Sequence, residues 1–264
     1  MIVSSSAETH EIKNASDFDF KSLDPGAEAA LIADQKTKIA KVCAMIRELT
    51  PRAHVGEVGS FTGFAAREYA KLPGVERVTC YDLSREAVTK CIERGLDAEV
   101  WRADTEPCPT REGTFDIVIA LDVIEHMIDT ERFLKEVRRV CAPQGYLILS
   151  TPNLAFWLSR IRLLIGRPPW SYPGVSSHTK VDPAIDLNHI RVNTLTEWRH
   201  LLAECGWSVR QVLTYSLLDD AQNSFKKSIL HSIDRIARFK LTLAYGHIYL
   251  AQPSPRPVRA ATDC

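Results

Sequence analysis

The stretch Ala53–Gly63, AHVGEVGSFTG, constrains this chain more than any other. Apolar residues suited to a buried strand lead to Glu57; Gly59, Ser60, Thr62 and Gly63 come next, and the helical pattern FAAREYAKL follows. A strand, a glycine-bearing turn and a helix start in that order make a ligand cradle. Glycine lets a ligand close on the backbone, and the first helical N–H groups have no partner inside the helix. A dinucleotide site asks for G-x-G-x-x-G here, which seats a pyrophosphate on the helix dipole. This chain has E-x-G-x-x-x-G, with Phe61 where that fingerprint wants glycine. A carboxylate beside the cradle suits a cationic ligand better than a pyrophosphate.

The chain is long enough for one full α/β core: 264 residues, 45% of them hydrophobic and 25% charged. A formal net charge of zero speaks against a nucleic-acid binder that relies on bulk charge, and no nucleic acid is expected as a partner. The seven cysteines are scattered without a C-x-x-C pair, so neither a zinc knuckle nor a disulfide framework is expected. Reduced thiols in a cytoplasmic protein are the simplest reading. The first residues lack an apolar signal-peptide core, and no apolar run is long enough for a transmembrane helix.

In chain order, residues 1–26 read as a polar arm, either folded over a ligand or a disordered tail. Residues 27–49 carry apolar positions at helical spacing and stop before Pro51. A strand at 53–58 and a helix at 62–72 follow, then Pro73-Gly74, then VERVTCYDLS, a second buried strand ending at Asp82. In a doubly wound fold, an acid at that tip meets the ribose hydroxyls of an adenosine. The alternative is that Asp82 only caps the helix beginning at Ser84. That helix, 84–94, ends at Gly95. AEVWRADTE gives a short third strand and loop, and FDIVIAL reads as a central parallel strand whose tip carries Asp122, Glu125 and His126.

A helix at 130–140, a turn at Pro143-Gln144-Gly145 and a strand at 146–151 come next. Residues 153–193 form a long connection, and such connections are usually functional. LAFWLSRIRLLIG, with Arg160 and Arg162, reads as a lid helix over a substrate in preference to an interfacial helix touching a membrane. The Pro- and Ser-rich loop after it brings Trp170, Tyr172, His178 and His189. A helix at 195–205, a strand at 207–215, an amphipathic helix at 225–240 and a last strand in LTLAYGHIYLAQ complete a domain of 27–251, and 252–264 reads as a disordered tail.

The E-x-G-x-x-x-G stretch with FDIVIALDVIEHM and the helix–PQG–strand segment resembles the class I S-adenosylmethionine-dependent methyltransferases, small-molecule type, over roughly 50–152 and more loosely over 189–251. The resemblance implies a Rossmann-like doubly wound sheet, mostly parallel with an antiparallel last strand. It implies S-adenosyl-L-methionine as cofactor, held by Glu57, Gly59, Ser60, Gly63, Asp82, Leu83, Asp104, Thr105 and Leu121. Phe61 departs from the family's middle glycine and bears on how closely the methionine end approaches the backbone. The implied activity is methyl transfer to a small molecule through an oxygen nucleophile. Two alternatives are an inactive cofactor-binding module and, against the missing dinucleotide fingerprint, an NAD-dependent oxidoreductase. Catalytic candidates are His126, His189 and Asp122, with each histidine equally readable as structural. Asp122, Glu125, His126 and His189 also resemble the metal set of the small-RNA 2′-O-methyltransferases, but with Asp for the first Glu. The expectation here is a metal-independent enzyme. No transmembrane segment is expected and peripheral membrane contact stays open. The sequence leaves the oligomeric state unread.

Overall fold

A computed structural model describes residues 25–49, 52–174, 182, 184–186, 188–216, 219 and 232–254. Helix α1 (Pro25–Leu49) precedes β1 (Ala53–Val58), α2 (Phe64–Ala70), β2 (Val75–Asp82), α3 (Arg85–Glu93) and β3 (Asp97–Val100). Then come β4 (Phe115–Leu121), α4 (Thr130–Val140), β5 (Cys141–Pro152), α5 (Trp157–Leu164), α6 (Leu195–Glu204), β6 (Trp207–Tyr215) and β7 (Gly246–Pro253). The seven strands form one sheet in the order β3-β2-β1-β4-β5-β7-β6. Pairs β1–β2, β1–β4, β2–β3 and β4–β5 are parallel, and β7 runs antiparallel to both β5 and β6. The doubly wound, mostly parallel sheet with an antiparallel last strand is therefore as expected.

The central strands read as apolar runs because both of their faces are covered. On one face, Phe133, Leu134 and Val137 of α4 and Trp198 and Leu202 of α6 pack with Val118 and Leu147. On the other, Val42 and Ile46 of α1 and Ala66 and Tyr69 of α2 pack with Val55, Ile117 and Ile148. Each fully buried Val, Leu, Ile or Phe among them contributes about 1.5–3 kcal/mol before chain entropy is set against it. Short helices are fixed at their starts by side chains: Ser84 accepts from the Ala87 N–H, Asp129 from the Arg132 N–H, and Thr194 with Glu197 closes a reciprocal capping box.

Boundaries differ from expectation in several places, among them a shorter α2, Phe64–Ala70 against 62–72. Helix α1 begins at Pro25, inside the expected arm, since proline suits a first helical turn. Strand β5 starts at Cys141, and the Pro143-Gln144-Gly145 turn becomes an irregularity in its pairing with β4. The last strand begins only at Gly246, because Leu241–Leu243 make a 3-10 turn. Strand β7 also runs to Pro253, just into the expected tail. Residues 1–24, 225–231 and 255–264, and with them His178, lie outside the described residues. The described part of the expected 225–240 helix is helical at 232–237. Cys43, Cys80, Cys91, Cys108, Cys141 and Cys205 are all free thiols and buried.

The strand order reverses at β1/β4, and a ligand site lies outside the carboxyl ends of strands at such a point. Glu57, Asp82 and Leu121 stand there together, with Glu57 registered against both Cys80 of β2 and Ile119 of β4.

Gly63 serves this packing directly. Its φ is +75°, and a Cβ would lie 2.6 Å from Leu96 Cδ1 and 3.0 Å from Cys91 Sγ. Gly63→Ala is expected to lower unfolding free energy by about 1–3 kcal/mol, combining left-handed strain with overpacking against α3. Urea denaturation of the two proteins measures the difference.

Candidate functional site

Two adjoining cavities open at the strand tips and share Gly59, Phe61, Asp122 and His126. Asp82, Leu83, Trp101, Asp104 and Thr105 line the first. Glu57, Ser60, Leu121, His189, Tyr215 and Tyr245 line the second. Of the nine expected cofactor residues, Gly63 alone lines neither; the space it keeps open is filled by α3.

The turn after β1 is built on positive φ. Gly59 has φ +70°, and a Cβ there would sit 2.4 Å from Val123 Cγ2, so the fold itself needs glycine at this position. Phe61 has φ +51°, a conformation that glycine adopts freely and that costs a phenylalanine of the order of 1–3 kcal/mol. Asp82 holds it there: its carboxylate accepts the Phe61 N–H at 2.8 Å and the Ser84 N–H at 2.9 Å. The helix cap is Ser84 itself, so Asp82 is not merely a cap. Burial raises the Asp82 carboxyl above its ordinary range, and the N–H groups of Ser84, Phe61 and Leu83 oppose that rise. Asp104, also raised by burial, accepts the Ile128 N–H at 3.0 Å and ties the β3–β4 loop to the far wall of the same cavity.

Glu57 is 4% exposed, and its Oε2 has no hydrogen-bond partner. Burial pushes its carboxyl well up, with Cys91 and Asp82 adding to the effect and the Ala66 N–H opposing it. A buried carboxylate oxygen without a donor, at the edge of a cavity, is complementary to a cationic group.

At the tip of β4, Asp122 also has positive φ, +53°, which aspartate tolerates better than most residues. Its carboxylate forms an ion pair with Lys38 of α1 and accepts the Ser150 hydroxyl at 2.7 Å and the Tyr215 hydroxyl at 2.9 Å. Burial works against its charge, but Lys38, Ser150 and Tyr215 outweigh it and hold the carboxyl below the usual range. The Lys38 ammonium also lies 4.1 Å from the Tyr215 ring centroid. Sequence reasoning missed Lys38, Ser150, Tyr215 and Tyr245. The signal for Lys38 was present, because it stands one turn before Val42 on the apolar stripe of α1 and is 5% exposed.

The structure divides the four residues of the metal-like set. Asp122 belongs to the Lys38 network, whereas ligand atoms of Glu125, His126 and His189 lie within 4.8 Å of one another. The end of the insertion carries His189 there: the N–H groups of Ile190 and Arg191 both donate to the Glu125 carbonyl, at 2.8 and 3.0 Å. From the insertion, the cavity walls take Asp186, Asn188, His189 and Ile190, and no residue of α5. His126 is pulled below the ordinary histidine pKa mainly by burial.

Residues 56–149 match the family described as a methyltransferase domain. A probable S-adenosylmethionine-dependent methyltransferase of Mycobacterium tuberculosis is 33% identical over 110 residues, 40% of this chain and 39% of that protein. Equisetin synthetase of Fusarium heterosporum is 27% identical over 181 residues, 64% of this chain but 4% of the synthetase. The chain thus spans well under half the length of either relative. Among solved structures, the methyltransferase in complex with the Trm112 methyltransferase activator of Haloferax volcanii superposes with a TM-score of 0.61 at 14% identity, over 86% of this chain and 94% of that one. Among the described residues, no helix is long and apolar enough to cross a membrane.

The Lys38–Asp122 pair gives the site a stability test. Lys38→Met leaves Asp122 without its cation and is expected to cost up to about 3 kcal/mol, less than for a fully enclosed pair because Asp122 is 28% exposed. The double variant with Asp122→Asn should recover part of that loss in a thermal melt.

Proposed function

We propose that this chain, which carries a methyltransferase domain whose cofactor is S-adenosylmethionine, transfers a methyl group to a hydroxyl of a small molecule. The carrying observation is the pair of cavities meeting at Phe61 and Asp122, one suited to a nucleoside and one lined by imidazole and phenol groups. When bound, S-adenosylmethionine supplies a sulfonium methyl that is already activated, so the protein's work is alignment and exclusion of water.

In this reading the first cavity takes the adenosine. Each Asp82 oxygen already accepts one N–H and keeps lone-pair capacity for a ribose hydroxyl. Asp104 and Thr105 stand at the adenine end, and Leu83 lines the ring's face. The unpartnered Glu57 oxygen faces the ammonium of the methionine end, beside Ser60 and Leu121. The second cavity takes the acceptor. His126 and His189 are its acid–base or acceptor-binding groups, and Asp122 fixes the charge at the boundary between the two cavities. The likeness to part of equisetin synthetase supports a small-molecule acceptor.

Asp82→Ala should weaken S-adenosylhomocysteine binding by about 1.5–3 kcal/mol, the worth of hydrogen bonds to a charged acceptor. Calorimetry reads the affinity, and circular dichroism checks that the turn at Phe61 survives. Unchanged affinity in a folded variant contradicts the ribose assignment. Transfer of a labelled methyl to a panel of hydroxyl and amine acceptors then tests the oxygen nucleophile. Binding without transfer to any acceptor marks a cofactor-binding module instead.

A further inference from the structure

Glu125 poses a problem that the methyl-transfer reading does not solve. It is 0% exposed, and neither carboxylate oxygen has a hydrogen-bond partner. An ionised carboxylate so placed needs a cation, and Lys38 is already engaged with Asp122. Besides the Thr151 hydroxyl, the groups facing it are imidazoles. The His126 and His189 rings stand 5.0 Å apart, centroid to centroid.

Their tautomers are set by their surroundings. His126 Nδ1 lies 2.8 Å from the Asn188 carbonyl oxygen, and His189 Nδ1 lies 2.9 Å from the Ser171 carbonyl oxygen. A carbonyl only accepts, so each Nδ1 carries the proton and each neutral ring presents an Nε2 lone pair. An imidazole anchored through Nδ1–H to a backbone carbonyl, with the other nitrogen bare, is the usual support of a metal-ligating histidine.

We propose that Glu125, His126 and His189 bind a divalent first-row transition-metal ion, with Asp186 at its open side. Metal–ligand bonds of about 2.0–2.2 Å put neighbouring ligands of one tetrahedral ion roughly 3.3–3.6 Å apart. The ligand atoms of the three side chains lie within 4.8 Å of one another, so closing on an ion asks each to move by up to about 1 Å, a side-chain adjustment. Two imidazoles and one carboxylate suit zinc, iron, cobalt or manganese and leave positions for an exogenous oxygen. Asp186 Oδ2 stands 3.5 Å from His189 Nε2, near enough to complete the site or to take a proton from what binds there.

The site stands on its own geometry; the role of its ion rests on the methyl-transfer reading. A coordinated hydroxyl loses its proton more readily, because the metal stabilises the oxyanion left behind. With an ion bound, the two histidines take the acceptor-binding role, through the ion, and the acid–base role falls to Asp186. The O–H proton passes to Asp186 or to solvent, and the electron pair stays on the acceptor oxygen.

Cobalt(II) alone is the probe. Metal-free protein titrated with Co²⁺ should show saturable binding at one equivalent, with a visible absorption band of nitrogen and oxygen ligation. Glu125→Gln and His189→Ala should each weaken it by at least the 10–100-fold typical of losing even an outer-shell partner, roughly speaking. Glu125→Gln keeps the side chain's size, and thermal melts check both variants. Absence of saturable Co²⁺ binding to the wild-type protein overturns the proposal without recourse to any variant. So does binding that both folded variants retain, and so does a thiolate charge-transfer band in place of the expected one. S-adenosylhomocysteine binding, measured in parallel in EDTA, keeps the two readings apart. Its loss condemns the cofactor assignment and leaves the cobalt titration standing; its presence without cobalt binding condemns the metal site alone.

Discussion

The Asp82 carboxylate, by taking the N–H of Phe61, fixes the turn on which the rest of the site depends. That turn holds a phenylalanine in a conformation suited to glycine, a cost met by one charge-assisted hydrogen bond and by the packing of the Phe61 ring against Phe64 at 6.2 Å. Because Asp82 closes β2 and Phe61 follows β1, the bond also ties the two strand tips together, beside the Gly59 and Ser60 N–H groups that donate to the Tyr81 carbonyl. Both cavities include Phe61 in their walls, so its backbone geometry decides how they meet.

The same device recurs at β4. Asp122 sits at positive φ at a strand tip, and here the restraint comes from charge: Lys38 from α1, with hydroxyls from β5 and β6. Three elements distant in sequence thus converge on the carboxylate at the tip of β4. Parallel strands make this convergence possible, since β1, β2, β4, β5 and β6 all end at the same edge of the sheet. Chemistry gathers at that edge because each strand delivers its last side chain there.

Much of this was legible in the sequence, and for a physical reason. Strands buried on both faces read as apolar runs, so β1, β4 and β6 have the expected bounds, and the residues at their ends could be named in advance. Helix α4, with its amphipathic period and Asp129 cap, was equally plain. Partnerships across the chain were not legible. Nothing local says that Lys38 meets Asp122 or that the end of the insertion brings His189 against Glu125. Those contacts follow from topology, which pattern does not specify. Within the insertion, α5 forms with Leu164 86% exposed, and the insertion residues that line the cavities come from the aperiodic segment after it. Phe61 was visible as an oddity, yet its left-handed backbone could be known only from the fold.

In the methyl-transfer reading one ligand spans the two cavities, adenosine on the Asp82 side and its amino-acid end beside Glu57. A crystal structure of the protein soaked with S-adenosylhomocysteine tests this most directly. The expected density has ribose oxygens on the Asp82 carboxylate, the adenine amino group toward Asp104 and the ammonium within reach of Glu57 Oε2. Ligand density elsewhere on the molecule, or an adenosine turned away from Asp82, would contradict it.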